Sequence, residues 1–131
     1  MRYSLLSLTA LLLIVQAVFA CSGSAEGGAP TGAKCGSDSE LDYESFGKGF
    51  MARYCVQCHS SQLPSGARNG APLDHDFDSL AGIRATPRAH LEEVAAAGPE
   101  AVNRQMPPPG YPEPTDRERK QLGEWLACGA P

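Results

Sequence analysis

The stretch Cys55-Val56-Gln57-Cys58-His59 contains two thiols and one imidazole within a single short segment. On a helix, positions i, i+3 and i+4 lie on one face, so both sulfur atoms and the ring can point the same way. Side chains arranged like this can bind one flat ligand together. The stretch therefore predicts a site for a planar group that is held by sulfur and nitrogen.

The chemistry of these side chains favours a covalently bound haem. Two thiols can bond the two vinyl groups of a haem while the imidazole binds its iron, and this spacing is the recognised attachment signature for c-type haem. A structural zinc site is an alternative, but it needs four ligands, and the other cysteines of the domain, Cys35 and Cys128, are widely separated. A thiol-disulfide redox pair is a second alternative, although it is expected beside a βαβ pattern that this sequence lacks.

The composition limits the classes of function. The formal net charge is −4, from 11 Lys and Arg against 15 Asp and Glu. Because the basic residues also form no strip that could follow phosphates, nucleic-acid binding is disfavoured. Arg68, Arg84 and Arg88 are expected on solvated surface. With 14 Gly and 11 Pro among 131 residues, the chain has many turns and a small core, which a cofactor or crosslinks would help to stabilise.

The N-terminal segment has the features of an export signal. Arg2 provides a positive start and Leu5–Val18 is largely apolar, so Met1–Ala20 is interpreted as a signal peptide. The junction with Cys21 resembles the lipobox of bacterial lipoproteins, which implies a diacylated Cys21 that anchors the protein to a membrane surface. Plain secretion with a free Cys21 is the alternative.

The segment that follows is predicted to be a flexible tether. Ser22 to about Ser37 consists mainly of Gly, Ser, Ala and Pro and offers few apolar side chains to bury. We therefore divide the chain into a signal peptide (1–20), a tether that carries the lipidated Cys21 (21–38) and a folded domain (39–131).

Helical patterning begins after the tether. An apolar stripe predicts a first helix from about Glu40 to Cys58, and its members are Leu41, Phe46, Phe50, Met51 and Tyr54. A short helix is predicted over Phe77 to Arg84, with Asp76 as its cap. Another is predicted to begin at Thr86-Pro87, a capping residue followed by proline at the first helical position, and to end at Gly98.

The C-terminal third combines a proline-rich segment with a well-marked helix. Pro99 to Pro114 contains six prolines and is predicted to be extended rather than helical. Thr115 and Glu118 form a capping box that starts the last helix, which Gly129 ends. No segment has the alternating pattern of a strand, so the mature domain is predicted to be all-α.

From Leu41 to Ala130 the chain resembles the class I (monohaem) cytochrome c family. The resemblance is carried by a helix that enters the Cys-x-x-Cys-His motif, a proline-bearing loop, short helices, a Met loop and a C-terminal helix. It implies a small fold in which the N- and C-terminal helices pack together around one covalently bound haem. It further implies that haem attachment at Cys55, Cys58 and His59 takes place outside the cytoplasmic membrane.

The resemblance also implies the remaining ligands. Met106, on a loop before the last helix, matches the sixth iron ligand, and Pro107 would restrict its backbone. The carbonyl of Pro72 would accept the second ring N–H of His59. Met106 filling a gap in the core, bis-His ligation through His75 or His90, and a turn role for Pro72 remain alternatives; Met51 is a poorer candidate ligand.

Apolar side chains are expected to enclose the porphyrin and to join the first and last helices. These residues are Phe50, Tyr54, Leu73, Phe77, Leu80, Leu91, Leu122 and Trp125. Because Cys35 precedes the first helix and Cys128 follows the last, and these helices pack together in the family, a Cys35–Cys128 disulfide is reasonable in an oxidising compartment. Free thiols are the alternative.

A haem with both axial positions filled has no open site for substrate. The family resemblance therefore implies a monomeric electron carrier rather than an enzyme, which cycles between Fe(III) and Fe(II) and exchanges single electrons with donor and acceptor redox proteins. Its expected location is the periplasmic side of a bacterial membrane. A peroxidase-like or gas-binding protein with a displaceable Met106, and a haem-based sensor, are the alternatives.

Overall fold

The computed structural model describes residues 27–131. The predicted signal peptide, Cys21 and the first residues of the predicted tether lie outside the described residues. Within the described part the regular elements are helices, and one isolated bridge between Ala97 and Val102 is the only β pairing there. In that same range no helix has the length and apolarity needed to cross a membrane. The prediction of an all-α domain is confirmed.

The first helix starts with an unusual turn and ends earlier than predicted. A π-helix covers Tyr43–Gly47 and continues as α1, Lys48–Tyr54. Asp42 caps it, since its side chain accepts a hydrogen bond from the N–H of Ser45. The prediction that the helix reaches Cys58 is wrong, because the backbone at Cys55 leaves the helical region with φ −121° and ψ −43°.

Two short helices follow, and each begins later than predicted. After a 3₁₀ helix (Ser65–Ala67), α2 covers Leu80–Ala85 and is capped by Ser79, whose hydroxyl accepts from the N–H of Gly82. The predicted cap Asp76 instead accepts a hydrogen bond from the side chain of Arg68. The prediction of a helix start at Phe77 is therefore wrong by three residues.

Helix α3 covers Arg88–Ala95, with Pro87 at the capping position. The predicted capping role of Thr86 is wrong, since its hydroxyl is buried without a hydrogen-bond partner. The helix also ends before the predicted Gly98, because the backbone of Ala96 is extended, with φ −88° and ψ 167°. The extended segment Ala96–Asn103 then folds back on itself, and the N–H of Asn103 donates to the carbonyl of Ala96.

The last helix agrees with its prediction and supplies much of the core. Helix α4 covers Asp116–Ala127, and Thr115 and Glu118 form the expected capping box. The indole of Trp125 is fully buried, and its centre lies 6.0 Å from that of the Phe46 ring. The hydroxyl of Tyr54 donates to Glu118 at 2.9 Å. The first and last helices are therefore in direct contact.

Part of the predicted tether is folded against the domain. In the N-terminal strap (residues 28–35), the N–H of Gly28 donates to the carbonyl of Glu93 at 2.7 Å. The hydroxyl of Thr31, fully buried, donates to Glu92 at 2.6 Å. A disulfide then joins Cys35 to Cys128, as the family resemblance implied. The prediction of a free tether is wrong here, because hydrogen bonds hold a segment that has little apolar surface.

Candidate functional site

A large cavity opens among the first helix, the loop 60–77, α3 and the segment around Met106. The space between its walls, including the part open to solvent at its mouth, is about 980 Å³. Its walls are largely apolar. They include all the residues that the sequence assigned to cofactor binding, which are Cys55, Cys58, His59, Pro72 and Met106.

A compact turn brings the two thiols and the imidazole to this cavity. The carbonyl of Cys55 accepts hydrogen bonds from the N–H groups of Cys58 at 3.1 Å and His59 at 2.9 Å. This turn, rather than the predicted helix, brings the thiols of Cys55 and Cys58 and the imidazole of His59 to one cavity. Both thiols are free, in contrast to the disulfide-bonded Cys35 and Cys128.

The two thiols differ in their surroundings. Cys55 is buried and Cys58 is half-buried. Burial raises the pKa of the Cys55 thiol to about 12, although the positive charge of Arg119 acts in the opposite direction. Cys55 therefore remains a neutral thiol around neutral pH, next to an apolar wall from which water is largely excluded.

The ring of His59 is oriented by a backbone carbonyl, but not by the predicted one. Its Nδ1 lies 3.1 Å from the carbonyl oxygen of His75. The assignment of this role to Pro72 is wrong, because the Pro72 carbonyl accepts from the guanidinium of Arg68 at 2.6 Å. Pro72 still lines the cavity.

This contact determines the state of the imidazole. Because a carbonyl oxygen can only accept, the Nδ1 atom of His59 carries the proton and Nε2 has a free lone pair. Burial lowers the pKa of His59, which also favours the neutral ring. The ring is stacked on Phe77, with centres 4.7 Å apart. His59 is thus held as a neutral, oriented imidazole whose Nε2 could bind a metal.

Arg68 is a functional-site residue that the sequence analysis missed. It is 1% exposed, so the expectation of a solvated surface position is wrong for this residue. Its guanidinium donates to the carbonyls of Ser60 and His75 at 2.6 and 3.0 Å and to the carboxylate of Asp76 at 2.7 Å. No local pattern marks it, because most of its partners are backbone carbonyls of an irregular loop. Arg84 and Arg88 are exposed, as expected.

Met106 reaches the same cavity from the proline-rich segment. Its side chain lines the wall and the residue is 38% exposed. Two hydrogen bonds hold its backbone. Its N–H donates to the carbonyl of Val94 at 2.9 Å, and its carbonyl accepts from the guanidinium of Arg119 at 2.9 Å. By contrast, Met51 is buried in the core and is not among the cavity residues.

The two histidines considered as alternative ligands also line the cavity. The rings of His75 and His90 lie 4.8 Å apart, edge to face. Both residues could approach a group bound there, so the geometry leaves ligation by histidine open alongside ligation by Met106.

The expected apolar enclosure is present except at one position. Phe50, Tyr54, Phe77 and Leu91 are buried and line the cavity, and Leu122 and Trp125 are buried behind it. Leu80 is half-buried against the core. The prediction for Leu73 is wrong, since this side chain is 66% exposed in the loop that Arg68 organises.

Among residues 27–131 there is no group of three or more His, Cys, Asp and Glu side chains that could hold a metal ion. The arrangement around His59 is instead one imidazole with two nearby thiols and a thioether. Comparisons with protein-family models, with curated proteins and with solved structures found no match for this chain.

Proposed function

We propose that this protein binds one haem c, attached through thioether bonds to Cys55 and Cys58, with His59 and Met106 as the axial ligands. The observation that carries the proposal is that the side chains of the Cys-x-x-Cys-His motif line the same large apolar cavity as Met106. The fold we propose is accordingly that of a small cytochrome c, with its first and last helices packed together beside one haem.

The residues present fit such a group. The cavity is open at one side and has largely apolar walls, as a site for a flat, mostly apolar cofactor requires. The thiols of Cys55 and Cys58 are free, and the Nε2 atom of His59 has no protein partner in the described hydrogen bonds. A thioether and a neutral imidazole are both established ligands of haem iron.

The activity we propose is one-electron transfer between redox proteins. The bound haem would supply Fe(III)/Fe(II) cycling, and the chain would determine how readily it occurs. Phe50, Phe77 and Leu91 exclude water from the cavity, and a His/Met ligand pair favours the reduced state. We therefore expect a positive reduction potential.

The location we propose is the periplasmic face of a bacterial membrane. Support comes from the sequence around Cys21, which is followed by a short segment before the N-terminal strap begins. Labelling with a fatty-acid probe in the native host should mark the wild-type protein and should not mark a Cys21→Ser variant. Absence of label on the wild-type protein would exclude the anchor.

The decisive experiment is expression in a host that matures c-type cytochromes, followed by intact mass and a pyridine haemochrome assay. We expect wild-type protein to gain the mass of one haem. Cys55→Ser/Cys58→Ser should lose covalent attachment. Cys35→Ser/Cys128→Ser is the matched control, because it replaces the same number of cysteines away from the cavity, and it should retain attachment. A colourless wild-type protein of unchanged mass would refute the proposal.

The identity of the sixth ligand needs a separate measurement. We expect the ferric protein to have the weak long-wavelength absorption band of a thioether-bound haem, and Met106→Ala to abolish it. His90→Ala should leave the band unchanged. If the spectrum were that of a bis-His haem, and it changed in His90→Ala but not in Met106→Ala, His90 rather than Met106 would be the sixth ligand.

The exposure of Met106 favours one other candidate function. Because this side chain is 38% exposed, a small ligand could displace it and bind the iron, as in a gas-binding, sensory or peroxidase-like protein. Tight binding of carbon monoxide to the ferrous wild-type protein would support this alternative over simple electron transfer.

A further inference from the structure

Arg119 is a buried cation whose bonds converge on the segment that carries Met106. It lies in the first turns of α4 and has no solvent exposure. Its Nη1 atom donates to the carbonyls of Ala95 at 2.8 Å, Asn103 at 2.9 Å and Met106 at 2.9 Å. One nitrogen atom therefore joins the end of α3 to two points of the extended segment.

The same guanidinium also contacts the chain beyond Met106. Its Nη2 atom lies 3.6 Å from the carboxylate of Glu113, which is itself largely exposed. Neither Nη2 nor Nε has a hydrogen-bond partner in the described structure. Burying a cation whose Nε and Nη2 lack hydrogen bonds is unfavourable, and the bonds of Nη1 to three carbonyls offset part of that cost.

Met106 has few other constraints. Its N–H is bonded to Val94, its side chain is 38% exposed, and prolines follow it in the sequence. Side-chain packing therefore does little to fix the sulfur atom. Two hydrogen bonds, from Arg119 to the Met106 carbonyl and from the Met106 N–H to the Val94 carbonyl, determine where the Met106 backbone lies.

We propose that Arg119 is a positioning residue that keeps the sulfur of Met106 at the iron, an inference that rests on the proposed haem function. A thioether is a weak ligand, so its occupancy depends on how little freedom is lost when it binds. Arginine suits the position because its Nη1 atom lies one bond farther from the Cα atom than the Nζ of lysine, so a lysine here would not place its ammonium at the same three carbonyls.

The test compares haem-loaded variants of full-length protein by titrating the ferric form with imidazole, which competes with Met106 for the iron. We expect Arg119→Lys to bind imidazole about tenfold more tightly than wild type, as the loss of charge-assisted hydrogen bonds would give, and to lose intensity in the long-wavelength band. Arg117→Lys is the matched control: it lies on the same helix, is exposed, and should leave both readouts unchanged.

Hydrogen exchange on the wild-type protein gives a measurement that does not depend on how a variant folds. We expect the amides of Asn103 and Met106 to be protected relative to those of Gly110 and Tyr111. Equal exchange in the two segments would overturn the proposal. The proposal would also be overturned if Arg119→Lys had the same imidazole affinity and the same long-wavelength band as wild type. The proposed haem function would then still stand. A wild-type protein without haem would refute the proposed function itself, and this inference with it.

Discussion

The carbonyl oxygen of His75 accepts a hydrogen bond from the Nδ1 atom of His59 at 3.1 Å. The same oxygen accepts from the guanidinium of Arg68 at 3.0 Å. Arg68 therefore fixes the acceptor that orients the imidazole, and it does so from a fully enclosed position. Apart from the 3₁₀ helix Ser65–Ala67, this loop is irregular, and one buried cation holds its backbone.

Replacing Arg68 should be much more damaging than replacing an exposed arginine. In Arg68→Met, the carbonyls of Ser60, Pro72 and His75 each lose a charged donor, and the carboxylate of Asp76 loses its ion-pair partner. We expect the free energy of unfolding to fall by about 3–5 kcal/mol, the usual cost of breaking a buried charged network. Denaturation in urea measures this difference.

Arg88→Met is the control for that experiment, since the Arg88 side chain is 57% exposed and forms only a long ion pair with Glu92. It should change the free energy of unfolding by no more than about 0.5 kcal/mol. Equal losses in the two variants would mean that the bonds of Arg68 do not stabilise the loop.

Local features of the fold could be predicted, and long-range ones could not. The start of α4 follows from Thr115 and Glu118, which satisfy each other within one turn. The N-terminal strap was missed because the partner of Thr31 is Glu92, 61 positions away in the sequence. The end of the first helix was missed because the apolar pattern gives no sign of the backbone change at Cys55.

The candidate site also combines features that could be predicted from the sequence with features that could not. The motif was identifiable from residue type and spacing, and Met106 from the resemblance to a known family; both line the cavity. The acceptor of His59 was not identifiable, because the loop is folded by the bonds of Arg68 to several carbonyls, and the spacing of the sequence does not show that this fold brings the His75 carbonyl to the imidazole. Arg119 did carry a signal: it lies three positions before Leu122 and seven before Leu126, on the inward face of α4.

The contact between the first and last helices requires glycine at one position. A Cβ on Gly47 would lie 2.4 Å from the ring of Trp125, which is fully buried and cannot easily move. We expect Gly47→Ala to lower the free energy of unfolding by about 1–3 kcal/mol. Thermal denaturation followed by the fluorescence of Trp125 measures this loss of stability.

Gly49→Ala provides the matched comparison, because it lies in the same helical segment and its Cβ would meet nothing within 4 Å. It should raise the free energy of unfolding by about 0.5–1 kcal/mol, since alanine loses less backbone entropy in a helix. If both substitutions had the same sign, close packing against Trp125 would not explain the glycine.

The disulfide between Cys35 and Cys128 should contribute substantially to stability. It closes a loop with a sequence separation of 93 residues. The chain-entropy model gives about 4–5 kcal/mol for such a loop, an upper figure if haem also crosslinks the chain. We expect Cys35→Ser/Cys128→Ser to show a lower urea midpoint of unfolding than wild type. Added reductant should lower the urea midpoint of wild type to the same value. No response of wild type to reductant would contradict the contribution.

The capping box of α4 should make stability depend on pH in a defined direction. Hydrogen bonds from the N–H and hydroxyl of Thr115, together with one from the hydroxyl of Tyr54, lower the pKa of Glu118 in the folded protein. A folded-state pKa below the unfolded one stabilises the protein when the carboxylate is ionised. This contribution is complete above the unfolded value, about pH 4.3, and is lost as the pH falls through the lowered folded value.

Glu118→Gln separates this carboxylate from the others, because glutamine can still accept in a capping box but does not titrate. We expect wild type to be more stable than Glu118→Gln at neutral pH and the gap to narrow in acid, as the pH falls through the lowered pKa of Glu118, because the other acidic groups titrate equally in both proteins. Urea denaturation at neutral and at acid pH gives the difference directly. A gap of the same size at both would show that the charge of Glu118 adds nothing to the hydrogen bonds that its oxygens accept.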